Sequence, residues 1–308
     1  MLKPRALEPG SRVALVAPAS PFSRDEFARG LDELRGLGFE PTYEESVFDR
    51  HRSYLAGSPG QRATALRRAW TDPSIAGVVA VRGGYGSAQV LPLLDRDEMR
   101  RTPKVFVGYS DTTALLTFLT IGCGVVAVHG PMLDRRLSRG ADGYDRESFL
   151  NVVGRTLPAG ELTAPGVETL RGGEAEGLLF GGTLTQLVAS LGTPFAFQPP
   201  AGHVLFLDEV GERPYRIDRM LTQLAQSGIL ARAAAVVIGE LPRCDEASGE
   251  PTGRAVMADM LADFPGPVLF GFPSGHTTGP SLTLPFGVRC RVVTGARPRL
   301  VVEEPAVA

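Results

Sequence analysis

The sequence predicts an α/β protein of two domains, the first built on a parallel sheet. Three observations lead there. Apolar runs at residues 12–17, 77–81 and 105–107 are near-continuous rather than alternating, the pattern of strands covered on both faces. Segments with helical spacing of apolar residues lie between and after these runs, so strands and helices alternate. A chain of 308 residues is also long enough to bury two separate cores.

Taken in order, the run Val13-Ala-Leu-Val-Ala17 ends at Pro18, and Ser23-Arg-Asp-Glu26 is a capping-box signature. Phe27, Leu31 and Leu34 continue at helical spacing until Gly36 and Gly38 stop the helix. Ser58-Pro59 is a second start signal, cap plus first-turn proline, for a helix through Ala63, Leu66 and Trp70. The strand at 77–81 empties into Arg82-Gly-Gly-Tyr-Gly86, with a helical piece at 88–94. The strand at 105–107 runs through Gly108-Tyr-Ser-Asp111 into a helix at 114–119, and a strand at 125–129 ends on His129. Periodicity weakens between 138 and 173, apart from a helix-like piece at 149–153, which reads as a connection between domains. Beyond it lie a strand, glycine turn and helix over 178–191, and a strand at 204–207 that delivers Asp208-Glu209. An amphipathic helix at 214–224, a strand at 235–239, a helix at 255–264 and a strand at 268–270 follow. The segment 271–280 holds too many Gly and Pro for regular structure and carries His276. The expected division is 1–140 for the first domain, 141–175 for the connection and 176–308 for the second.

Composition excludes several functions. Hydrophobic residues at 43% and charged residues at 21% describe a globular chain, not a disordered one. A formal net charge of −2 provides no basic field, so neither nucleic acid nor an anionic membrane surface is expected as a partner. No stretch approaches the roughly 20 apolar residues of a membrane span, and the first residues lack a signal-peptide core, so a cytoplasmic location is expected. Cys123, Cys244 and Cys290 fit neither a disulfide framework nor a zinc site and read as buried thiols. The dinucleotide fingerprint is missing after the first strand, and no His or Cys pair stands at ligand spacing, so no cofactor or metal is expected.

Chemistry concentrates at four places. Ser110 on a strand-to-helix turn resembles a nucleophile elbow, although Thr112 stands where the full motif has its second glycine; equally, Ser110 or Asp111 is an ordinary helix cap. The turn Arg82-Gly-Gly-Tyr-Gly86 can converge N–H groups on a developing oxyanion or simply turn the chain. His276 sits in a loop among small residues, a setting that leaves an imidazole reachable, whereas His129 reads as a space-filling histidine. Asp208 and Glu209 point to opposite faces if the strand persists, so one of them can enter a cleft. A serine nucleophile needs a base, an acid that fixes its tautomer, and oxyanion donors.

Arg82-Gly-Gly-Tyr-Gly86, Gly108-Tyr-Ser-Asp111, the run from Leu205 through Pro214-Tyr-Arg-Ile-Asp-Arg219, and Gly275-His-Thr with Thr283-Leu-Pro285 together resemble the LD-carboxypeptidase family of serine peptidases, in family order across nearly the whole chain. That family includes muropeptide LD-carboxypeptidases and microcin-C immunity peptidases. The resemblance implies a flavodoxin/Rossmann-like N-terminal parallel sheet domain carrying the serine and a smaller mixed α/β C-terminal domain carrying the acid and the histidine. It makes Ser110 the nucleophile, His276 the general base, and the N–H groups of Gly84 and Asp111 the oxyanion hole, with Arg82, Gly83 and Tyr109 on the substrate side. The family's triad glutamate falls on Asp208, because this chain reads Asp208-Glu209 where the family reads Glu-Asp; either residue could orient His276. The implied activity is release of terminal D-alanine from a murein tetrapeptide, by a homodimer. A microcin-type amidase acting on peptidyl or aminoacyl nucleotides is the alternative among enzymes, and a peptide-binding protein the alternative outside them.

Overall fold

Five strands, β1 (Arg12–Val16), β2 (Glu40–Thr42), β3 (Gly77–Ala80), β4 (Val105–Gly108) and β5 (Ala127–His129), pair in parallel in the order β5-β4-β3-β1-β2. This is the doubly wound frame, whose ligand crevice lies beyond the strands' carboxyl ends. The computed structural model describes residues 1–308. Every residue of β3 and β4 is buried, as their unbroken apolar runs require. Fully burying a Val or Phe here contributes about 1.5–3 kcal/mol.

Helices cover the sheet where the start signals place them. Ser58 Oγ accepts from Gln61 N–H at 3.3 Å and Gln61 Oε1 accepts from Ser58 N–H at 2.9 Å, a reciprocal capping box that opens helix Pro59–Thr71. Ser23 precedes helix Arg24–Gly36 but its side chain makes no cap bond, so only half of that expectation holds.

The second sheet has eight strands: β6 (Gly160–Leu162), β7 (Glu168–Arg171), β8 (Glu174–Thr183), β9 (His203–Asp208), β10 (Ala233–Ile238), β11 (Val268–Phe270), β13 (Arg289–Val293) and β14 (Arg299–Val302). Its order is β6-β14-β13-β8-β9-β10-β11-β7, with β8 to β11 parallel and the flanking strands antiparallel, hence mixed. Residues alternate cleanly across it: Val204, Phe206, Ala235 and Val237 join the large core shared with the first sheet, whereas Leu205, Leu207, Val236 and Ile238 face a second core under helix Pro214–Gln226.

The structure corrects three sequence expectations. The segment 141–175 supplies more than a connection, because β6 and β7 form the two edges of the second sheet. The remaining strand, β12 (Leu284–Phe286), leaves the C-terminal half and pairs antiparallel with β5, finishing the first sheet. Gly181 and Gly182 make no turn; they lie within β8, where a Cβ on Gly181 would stand 1.9 Å from the Phe206 carbonyl oxygen. Cys123, Cys244 and Cys290 are free and buried, and burial pushes the Cys123 thiol up to about 12 and Cys244 up to about 11. No helix is long and apolar enough to cross a membrane.

Candidate active site

Three turns and one strand end meet at the carboxyl edge of the first sheet. β1 leads to Ser20, β3 to the turn 82–86, β4 to the elbow at Ser110, and β5 ends on His129. Ser110 has φ +62, a left-handed value that a non-glycine residue adopts at a cost, whereas Tyr109 before it is extended. The helical cap reading is not what the structure shows: neither Ser110 nor Asp111 caps with its side chain the helical turns that begin here. The buried Asp111 carboxylate instead accepts from the N–H groups of Gly86 at 3.3 Å and Ser87 at 2.8 Å, locking the glycine turn against the elbow. Burial raises the Asp111 carboxyl pKa despite those bonds.

Gly83 lies directly against the serine. A Cβ there would sit 3.0 Å from Ser110 Cβ and 3.1 Å from both Ser110 Oγ and Asp111 N, so no side chain separates the two turns. Gly84 follows with an N–H that makes no intramolecular hydrogen bond. The turn is held from its far side by Ser20, whose Oγ accepts from Tyr85 N–H at 3.0 Å and donates to Tyr54 O at 2.9 Å. Ser20 follows the first strand without any motif, so nothing in the sequence marks it.

The second half of the site comes from the second sheet. Asp208 is the last residue of β9, fully buried, and its Oδ2 accepts from His276 Nδ1–H at 2.6 Å while Oδ1 accepts from the His276 backbone N–H at 3.0 Å. Because an ionised carboxylate only accepts, the ring proton sits on Nδ1 and Nε2 presents its lone pair. Gly275 makes this approach possible: its φ is +75, and a Cβ there would fall 2.5 Å from Asp208 Oδ2. Burial pulls the His276 pKa down, but the charge and hydrogen bond of Asp208 outweigh it and leave the imidazole above its ordinary value. For Asp208 burial pushes upward, and the His276 contacts overcome it to hold the carboxyl below the usual range.

Glu209 faces the other way. Its carboxylate accepts from Thr185 N–H at 2.9 Å and Thr185 Oγ1 at 2.6 Å, in the first turn of helix Leu184–Ser190, and from the adjacent Val210 N–H at 2.9 Å. Burial raises its pKa.

The two halves join at Tyr109 and Thr113. Tyr109 lies edge-on to the His276 ring at 5.1 Å between centroids, and Thr113 Oγ1 accepts from Thr183 N–H at 3.1 Å. Ser110 Oγ and His276 Nε2 share no hydrogen bond in this conformation. His129 is fully buried: its Nδ1 meets Ser274 Oγ at 3.1 Å, and burial lowers its pKa to about 4. Arg82 Nη1 pairs with the buried Asp134 Oδ2 at 3.1 Å rather than with turn carbonyls, and its side chain remains 30% exposed. Asp134 and Arg136, which the sequence offered only inside an undistinguished Asp-Arg-Arg run, are with Ser20 the residues sequence reasoning passed over.

The arrangement provides a hydroxyl on a strained turn, a base with a fixed tautomer, a buried acid behind it and an N–H-lined turn beside it, the equipment of acyl transfer. Comparison with known proteins agrees with that chemistry. Residues 13–130 match the family described as LD-carboxypeptidase N-terminal domain, and residues 176–292 match LD-carboxypeptidase C-terminal domain. A Streptomyces coelicolor protein named as a carboxypeptidase is 41% identical over 94% of this chain and 92% of its own. The murein tetrapeptide carboxypeptidase of Pseudomonas aeruginosa is 34% identical over 86% of this chain and 88% of its own. Among solved structures, the microcin C7 self-immunity protein MccF superposes with a TM-score of 0.91 over 100% of both chains at 23% identity, a likeness of fold.

Proposed function

This chain belongs to the LD-carboxypeptidase family, and from that premise we propose that it is a serine carboxypeptidase that releases terminal D-alanine from murein tetrapeptides. The observation that supports this reading best is the Asp208–His276 pair, held at 2.6 Å, whose imidazole lies 5.1 Å from the ring of Tyr109, the residue before the elbow serine. In the proposed mechanism Ser110 Oγ attacks the carbonyl of the residue before D-alanine while His276 Nε2 takes its proton. Asp208 stabilises the imidazolium that forms. The oxyanion is received by the N–H groups of Gly84 and Asp111, in a turn that Asp111 and Ser20 hold rigid. His276 then returns the proton to the leaving amine, D-alanine departs, and water activated by His276 hydrolyses the acyl-enzyme.

Arg82, at the start of the glycine turn, shares its charge with Asp134 and keeps its side chain 30% exposed, and in this reading its open side binds the free carboxylate that defines an exopeptidase substrate. Gly83 and Tyr109 form the wall beside it. The nucleotide alternative requires an aromatic platform for a base in the C-terminal half. The sole Trp, Trp70, is buried in the first core, and the exposed Tyr215 ring already carries Arg213, Arg216 and Arg219 at 5.4 to 6.0 Å. The test is incubation of the purified protein with a murein tetrapeptide and detection of free D-alanine by mass spectrometry. Release by the native protein and none by Ser110→Ala is expected; no release, or cleavage of an aminoacyl nucleotide only, overturns the reading.

A further inference from the structure

Arg136 is 6% exposed and forms no salt bridge, an uncommon state for a guanidinium. Its donors go to backbone carbonyls instead: Nη1 to Gly143 O and Gly279 O, each at 3.0 Å, and Nη2 to Gly275 O at 2.7 Å and Thr277 O at 3.2 Å. Three of these four acceptors flank His276, and they belong to a loop without helix or strand, whose buried carbonyls have no ladder to satisfy them. The arginine follows β5 in the first half of the chain, whereas the loop belongs to the second. A planar fork with five N–H donors serves several carbonyls at once; the ammonium of a lysine cannot reproduce that spread. The same cation stands 5.8 Å from the Tyr109 ring that touches the His276 imidazole.

We propose that Arg136 is a positioning residue for His276, clamping the loop from across the domain seam so that the imidazole stays on Asp208 and turned toward Ser110. This rests on the reading of His276 as the general base. A second consequence is electrostatic. The charged and titratable groups around His276 are Asp208 at the end of β9, Glu209 behind it, Glu240 holding Thr278 of the same loop at 2.8 Å, Tyr109 on the elbow, His129 at the end of β5, and Arg136. The carboxylates favour the imidazolium and Arg136 opposes it, which keeps more of the base in its neutral, working form.

The test compares Arg136→Met and Arg136→Lys with the native enzyme on a murein tetrapeptide across pH, together with proton NMR of the low-field Nδ1–H signal of His276. Loss of the clamp in Arg136→Met is expected to lower kcat by roughly 10²-fold, the scale of a misplacement near 1 Å, with KM changed little. Loss of the cation raises the imidazole pKa, so the acidic limb of kcat/KM moves to higher pH. Arg136→Lys keeps the limb in place and recovers part of kcat. A folded Arg136→Met with native kcat, or with lowered kcat and an unmoved acidic limb, overturns the proposal. Should the Met variant fail to fold, the Lys variant decides: lowered kcat at constant KM supports the clamp, and native kcat refutes it. If the native enzyme itself releases no D-alanine, the functional reading fails separately, and the NMR signal still tests the clamp: shifted or broadened in the variants it upholds the positioning role, unchanged it removes it.

Discussion

Asp208 accepts two hydrogen bonds from one residue, His276, through the ring Nδ1–H at 2.6 Å and the backbone N–H at 3.0 Å. The acid therefore fixes both the tautomer of the imidazole and the path of the loop that carries it, and the neighbouring Glu209 makes no hydrogen bond to either. Asp208→Asn is expected to reduce kcat by roughly 10⁴-fold, as when a triad acid is replaced, whereas folded Glu209→Gln keeps most activity. The opposite order in steady-state kinetics would assign the role to Glu209. Asp208→Glu is also expected to be impaired, because Gly275 and the 2.6 Å bond leave no room for a further methylene.

Ser110 allows activity and backbone strain to be separated. Ser110→Ala and Ser110→Gly should both lose roughly 10⁴-fold or more in turnover. Ser110→Gly should be the more stable of the two by about 1 kcal/mol, because glycine adopts φ +62 without the Cβ penalty. Denaturant midpoints measure the difference; an equal or lower value for the glycine variant would show that the turn is unstrained.

Arg82 has two partners to serve. Arg82→Ala leaves Asp134 buried with an unpaired carboxylate, which costs about 1–3 kcal/mol, and should weaken cleavage of free-acid peptides more than of C-terminally amidated ones. Equal losses on both substrates would reduce Arg82 to the partner of Asp134.

Acid stability offers a check away from the cleft. His203, at the start of β9, is buried with its Nε2 unpaired, and burial lowers its pKa to about 4 from an ordinary value near 6.5. Between those pH values the unfolded chain binds a proton there that the folded chain does not, so stability is present above about 6.5 and is lost as pH falls toward 4. His203→Gln should flatten this slope in urea melts at pH 7, 6, 5 and 4 and leave turnover at pH 7 unchanged. A parallel slope in native protein and variant would mean that His203 titrates normally in the fold.

The elements that sequence reveals best are those whose cause is local. The buried runs at β3 and β4, the Ser58-Pro59 start and the breaker-rich loop around His276 are written in adjacent residues, and the structure contains each of them. What adjacent residues do not contain is partnership at a distance. Asp208 and Glu209 look equivalent as a dipeptide, and only the pairing of β9 with β8 and β10 decides which carboxylate meets the imidazole. Arg136 looks like half of a surface Arg-Arg pair until the loop 271–280, folded from far along the chain, lays its carbonyls over it. The edge strands β6 and β7 escaped for a related reason: half-exposed and short, they have little apolar pattern to betray them.

β12 gives the first sheet an order of assembly as well as a shape. Its three residues, Leu284–Phe286, are synthesised long after β5, so during synthesis β5 waits with one edge unpaired. An open edge on a buried parallel sheet is a template for association with other chains. The nascent N-terminal half therefore carries an unpaired sheet edge until Leu284–Phe286 has been made and has folded back onto β5.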